Sequence, residues 1–218
     1  MGYVITVSGA VGGIGASTLS YAIAMQSPST SVLIDGRRNG VPLDLLICAE
    51  HQPGTRWHQI HIAAPDIDVD TVLAALPTWN GLHFLSSSTQ GVIHQPAFLY
   101  LVDVLREHCD VVVDIDARSE LLDALRADLS VLAVPSTIYG LGGAVAAIRP
   151  ESELVVMRAP LEDFRPQEFD RYLPNPVLGI VDCDRAVWMA MRAGEPIPSN
   201  TALMRVADAI VKRFADAA

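Results

Sequence analysis

Between Gly9 and Thr18 the chain reads G-A-V-G-G-I-G-A-S-T. Glycines at 9, 12, 13 and 15 let backbone amides come close to an anion, and Ser17 and Thr18 stand where a helix would open. Amide donors, a helix dipole and a hydroxyl converge in this way on phosphate groups. Gly12, Gly13, Gly15, Ala16, Ser17 and Thr18 are therefore the candidate phosphate-binding residues. The phosphate-loop pattern G-x-x-x-x-G-K-[ST], laid on Ala10 to Ser17, lacks its lysine, because Ala16 stands in that place.

Carboxylates follow several apolar runs: Asp35 after Ser31–Ile34, Asp114 and Asp116 after Val111–Val113, Asp182 and Asp184 after Val177–Val181. In an open α/β sheet, ligands bind beyond the carboxyl ends of the strands. A carboxylate there can hold Mg²⁺ or its waters, and a hydroxyl such as Ser17 can add a ligand. Ser17, Asp35 and Asp114 form the candidate metal set, conditional on ATP binding, and Asp35 and Asp114 would be the catalytic residues of an active site. The competing reading is that aspartate is common at strand ends and helix caps. His51, His58 and His61 cluster in a segment rich in Pro and Gly. Only His58 and His61 are close in spacing, three residues apart, with no third or fourth ligand to complete a metal site, and a surface loop is the favoured reading. No Ser–His–Asp or Cys–His arrangement stands out.

The elements that must position these residues alternate. Val4–Val7, Ser31–Ile34, Leu82–Leu85, Val111–Val113, Val131–Val134, Leu154–Met157 and Val177–Val181 read as short buried strands, with helical segments between them. This alternation predicts one doubly wound α/β domain over residues 1–218, with a mostly parallel seven-stranded sheet and helices on both faces. The segment from Glu50 to Asp70 and the serine-rich Ser86 to Thr89 read as loops. The 218 residues are 50% hydrophobic and 18% charged, which excludes disorder as the main state. No apolar run approaches the ~20 residues of a membrane-spanning helix. Three cysteines at 48, 109 and 183, without metal spacing, point to a reduced, cytoplasmic setting. A net charge of −10 and a single lysine, Lys212, argue against broad nucleic-acid binding.

The ordered segments G-A-V-G-G-I-G-A-S-T-L, V-L-I-D-G-R-R-N-G-V-P-L-D-L-L, D-V-V-V-D-I-D and L-G-I-V-D-C-D-R-A-V resemble the deviant phosphate-loop ATPases of the MinD and ParA type. Within that group they are most similar to the branch of the pilus-localisation proteins CpaE and TadZ and the septum site-determining CpaE-like proteins. The resemblance runs from Tyr3 to Phe214. It implies a magnesium-binding hydroxyl at Ser17, a switch carboxylate at Asp35 and a Walker B carboxylate at Asp114. The family's signature lysine, which reaches the phosphates of a partner subunit in a dimer, falls at Val11, and its second loop lysine falls at Ala16. An asparagine that reads adenine is replaced near Met157-Arg158.

Without both lysines, the resemblance implies a degenerate member with weak or absent ATPase activity. Such a protein would bind protein partners of a pilus, secretion or septum assembly, recruited to a cell pole or septum, with a homodimer among the family's options. The alternative is a working ATP–Mg²⁺ switch in which Arg37, Arg38 or Arg158 replaces the lysines. A metabolic ligase of the same superfamily is a third option, disfavoured because that chemistry uses the missing lysine. Relatives of the MinD kind bind membrane through a C-terminal amphipathic helix. Here Leu203, Val206, Ile210 and Phe214 line one stripe of the last helix, with few basic neighbours, so packing on the sheet is the expected use.

Overall fold

The structure is a computed structural model. It describes all residues except 39, 61–67, 88–93, 159–162, 164 and 216–218. Apolar, β-branched runs form the strands of one sheet: β1 (Val4–Gly9), β2 (Ser31–Asp35), β3 (Thr78–Trp79), β4 (Leu82–Leu85), β5 (Asp110–Asp114), β6 (Leu129–Pro135), β7 (Ser152–Met157) and β8 (Val177–Val181). Their spatial order is β3-β4-β2-β5-β1-β6-β7-β8. Every pairing is parallel except β3 with β4.

The sheet thus has eight strands, one more than the seven expected. The extra strand is two residues long and antiparallel. It is turned back on β4 by Asn80-Gly81, both with positive φ, a hairpin signal too short to show as an apolar run. Helices cover both faces: α1 (Ala16–Gln26), α2 (Leu43–Leu46), α3 (Val69–Ala75), α4 (Gln95–Arg106), α5 (Leu121–Ala124), α6 (Ile138–Ala147), α7 (Arg185–Ala193) and α8 (Ala202–Ala215). Among the described residues, no helix is long and apolar enough to cross a membrane.

One face of the central strands (Ile5, Val7, Leu33, Val112, Val131) packs with Leu19, Ile23, Leu203, Ala207 and Ile210 of α1 and α8. The last helix therefore does bury its apolar stripe, and Val206 lies against Gly179 of β8 while Phe214 meets the Tyr3 ring at 4.8 Å. The opposite face (Val32, Ile34, Val111, Val113) packs with Phe98, Leu101, Val102 and Leu105 of α4. These positions fall at helical spacing behind Pro96 in the first turn.

What this frame fixes for the site is a register. Paired parallel to each other, β2 and β5 set Asp35 directly opposite Asp114. On the other side of β5, β1 runs out into the glycine loop.

Candidate functional site

The loop after β1 takes the shape that its glycines permit. Gly13 and Gly15 have φ of 73° and 95°, a region that strains residues bearing a Cβ. Gly15 is the N-cap of α1 and brings no side-chain acceptor, and the first turn carries no acidic residue. The amides at this helix start are thus left for a ligand, with the positive end of the helix dipole behind them. A cleft of about 680 Å³ opens over the loop, lined by Gly12, Gly13, Gly15, Ala16, Ser17 and Thr18 together with Arg37, Asp114, Asp116 and Arg118. Val11 and Ala16, where the resemblance would place lysines, line it as apolar side chains. A second cleft of about 630 Å³ shares Gly13, Ile14, Gly15 and Thr18 and extends to Met157, Arg158, Asp182, Cys183 and Trp188.

Asp35 and Asp114 are brought together, fully buried, with side-chain exposures of 0% and 1%. Two carboxylates on adjacent strand ends repel, and the chain supplies the counter-charge from two residues downstream of Asp35. Arg37 Nε donates to Asp35 Oδ1 at 3.0 Å, and Arg37 Nη2 donates to Asp35 Oδ2 at 3.2 Å. The same Nε lies 2.9 Å from Asp114 Oδ2. Its single N–H is directed at Asp35, so Asp114 Oδ2 is ion-paired but accepts no hydrogen bond among the described residues. Arg37 Nη2 also donates to the Val41 carbonyl at 2.8 Å. Asp35 is held from behind by the Leu43 amide (3.1 Å) and the Ser87 hydroxyl (2.7 Å), and its carbonyl accepts from Trp57 Nε1 (2.8 Å).

Burial pushes the Asp114 carboxyl up to about 6, against the opposing pulls of Arg37 and of a hydrogen bond from Ser17, while Asp35 and Asp116 add to the rise. Burial works to lower the Arg37 pKa, but Asp114, Asp35 and Asp116 outweigh it, so the net shift is upward and the guanidinium is charged throughout.

The other residues singled out in the sequence fall apart from this cluster or serve it indirectly. Asp116 accepts the Arg38 amide at 3.0 Å and orients the turn after β2. Asp184 caps α7 by accepting from Ala186 N at 2.8 Å, the ordinary use of such an aspartate. Arg158 pairs with Asp182 at 3.1 Å in the second cleft, and Lys212 pairs with Asp208 along α8. His51 is exposed beside Glu50, His58 lies exposed in the 3-10 turn Trp57–Gln59, and His61 lies outside the described residues. Ser88 and Thr89, read as loop, lie outside them too. Among the described residues, no group of three or more His, Cys, Asp or Glu is disposed to hold a metal ion. The three cysteines are free. Arg118, absent from the sequence reading, lines the cleft; only the fold of the turn after Asp116 brings it there.

The site suits the two parts of ATP–Mg²⁺ unequally. The loop fits a polyphosphate in shape, with uncapped amides facing an open cleft. Mg²⁺ fits poorly. The interval between the Asp35 and Asp114 carboxylates, where a divalent ion would be recruited, holds the Arg37 guanidinium.

The fold is that of the ParA and MinD ATPases. A ParA family ATPase from Chlorobium tepidum TLS superposes with a TM-score of 0.81 at 16% identity, over 96% of this chain and 98% of that one. A chain of the MinC:MinD cell division protein complex of Aquifex aeolicus gives 0.74 at 16% identity, over 98% and 96%. A plasmid partition protein from Borrelia burgdorferi B31, bound to AMPPNP, gives 0.68 at 13% identity over the whole of both chains. In sequence, the chain is 32% identical over 168 residues to the uncharacterized protein Rv3660c of Mycobacterium tuberculosis H37Rv, covering 71% of this chain and 47% of that protein. The chain thus spans about half the length of the curated relatives it matches. No protein-family model matches it.

Proposed function

We propose that the chain is a degenerate ParA/MinD-like protein of the CpaE/TadZ kind. It serves as a scaffold or positioning factor for a pilus, secretion or septum assembly and hydrolyses ATP weakly or not at all. The observation that carries this reading is the state of the cationic groups around an otherwise well-formed phosphate loop. Val11 and Ala16 replace both lysines, and Arg37, the arginine best placed to substitute, is committed to Asp35 and Asp114. Phosphoryl transfer depends almost wholly on positioning and on cations that meet charge developing in the transition state. A cleft whose principal guanidinium is neutralised by two carboxylates has little to offer that charge. Binding through protein partners fits what the MinC:MinD neighbour is named for, and a homodimer belongs to the same reading.

ATP turnover by the purified chain tests it. Release of phosphate no faster than buffer is the expected result. Turnover that disappears in Asp114→Ala would establish the second reading, a working switch, which Arg118 on the wall of the phosphate cleft favours.

A further inference from the structure

Two acidic strand ends set face to face by the sheet register are the beginnings of a divalent-cation site, since hard cations take carboxylate oxygens and Mg²⁺ is commonly held by one or two of them. Asp35 and Asp114 meet that description: opposed across β2 and β5, fully buried, and with one oxygen, Asp114 Oδ2, that accepts no hydrogen bond among the described residues. The cation between them is covalently part of the chain. Arg37 contacts Asp35 at 3.0 Å and Asp114 at 2.9 Å, and it is pinned on its outer side by the Val41 carbonyl.

We propose that Arg37 is the built-in counter-ion of this cleft, standing in the place of a divalent metal, so that the cleft neither recruits a metal nor needs one. The proposal deepens the reading of the cleft as a phosphate site and adds to it how the carboxylates are neutralised.

Three physical reasons support it. A tethered guanidinium competes with a dissolved ion at a high effective concentration, because it pays no cost of association. Its charge is permanent, so no pH at which the protein is folded vacates the position. A metal displacing it would have to lose its own waters and leave a guanidinium stranded among groups already satisfied: Leu43 N and Ser87 hold Asp35 where it is, and Gly36 N bonds the Asp114 carbonyl at 2.7 Å, which fixes the start of the turn carrying Arg37. Arg37, Ser17, Asp35 and Asp116 are the charged and polar groups that act on Asp114.

The test needs no nucleotide. Free Mn²⁺, counted by electron paramagnetic resonance, reports metal uptake by the wild type, Arg37→Gln, Arg37→Lys and the double variant Arg37→Gln with Asp114→Asn. The wild type and Arg37→Lys, which keeps a tethered cation, are expected to leave millimolar Mn²⁺ free. Arg37→Gln is expected to bind one ion per chain at least about tenfold more tightly than the wild type, and the double variant to lose it. One Mn²⁺ bound by the wild type and lost on Asp114→Asn alone would overturn the proposal, and this arm stands even if Arg37→Gln does not fold. A folded Arg37→Gln that binds no ion would overturn it as well. If ATP fails to bind the wild type with or without Mg²⁺, the phosphate-site reading fails, and the Mn²⁺ counts still decide the role of Arg37.

Discussion

At the scale of single residues, the cluster of Arg37, Asp35 and Asp114 controls how the site responds to mutation and pH. Removing the cation with Arg37→Met leaves two buried carboxylates without their partner, and breaking a buried pair in this way costs about 3–5 kcal/mol. Urea denaturation at neutral pH is expected to show that loss. At about pH 5, where Asp114 takes up a proton, the loss should shrink, and equal losses at both pH values would contradict the geometry. Asp114 has a folded pKa raised from 3.8 to about 6. An acid shifted upward contributes stability that is complete below its unfolded pKa and is lost as pH rises through its folded one. The stability of the wild type relative to Asp114→Asn should therefore fall between about pH 4 and pH 7, by about 1–3 kcal/mol. A constant difference across that range would show that the carboxyl titrates normally. Both aspartates were legible as candidates because each closes an apolar run, and Ser17 because it follows the glycine loop where a helix opens. The engagement of Arg37 was not. The sequence shows D-G-R-R as a turn, and only the pairing of β2 with β5, between residues far apart in the chain, shows that the first arginine has two carboxylates to satisfy.

Among the elements, α6 matters most for the loop, although it contributes no charged group. Gly143 of α6 runs so close to the loop that a Cβ there would stand 2.5 Å from the Ala10 carbonyl oxygen and 2.7 Å from Val11 Cγ1. The helix thus acts as a wall that fixes the first half of the loop. Gly143→Ala is expected to cost about 1–3 kcal/mol as the loop is pushed aside, measured as a fall in denaturation midpoint. No change would mean that the loop yields freely, and the preorganisation assigned to it would be wrong. Element existence was readable wherever an apolar period ran for four residues or more, as in β4, β7 and α4. It was not readable for β3, where Thr78–Trp79 has no period at all and is defined by its Asn80-Gly81 turn and its neighbour. The first turn of the small-residue helix α6 is hard to read from sequence, because Ile138 and Tyr139 are exposed and add nothing to an apolar stripe. Thr137, which caps it by accepting from Gly140 N at 3.1 Å, marks the true start.

For the whole molecule, the charge balance bears on which polyanions the surface can hold. A chain of net charge −10 with one lysine offers few cations for neutralising a phosphate backbone. Random-sequence duplex DNA at physiological salt is expected to leave it unshifted at micromolar concentration, and a salt-sensitive shift would reveal an arginine patch that composition conceals. The fold itself is that of the ParA and MinD ATPases, and it was legible from the alternation of strands and helices. The chemistry proposed for it starts from the apolar residues Val11 and Ala16 in the loop.

The central claim is that the loop keeps its phosphate-binding shape while its cationic chemistry has gone. Calorimetric titration of ATP–Mg²⁺ into the wild type and into Ala16→Lys tests this most directly. A lysine restored at position 16 adds one charge-assisted contact of about 1.5–3 kcal/mol next to amides that the loop still presents. Binding at least about tenfold tighter than that of the wild type is the expected result. A folded Ala16→Lys variant with no gain in affinity would mean that the loop no longer holds a phosphate-binding shape, and would contradict the account.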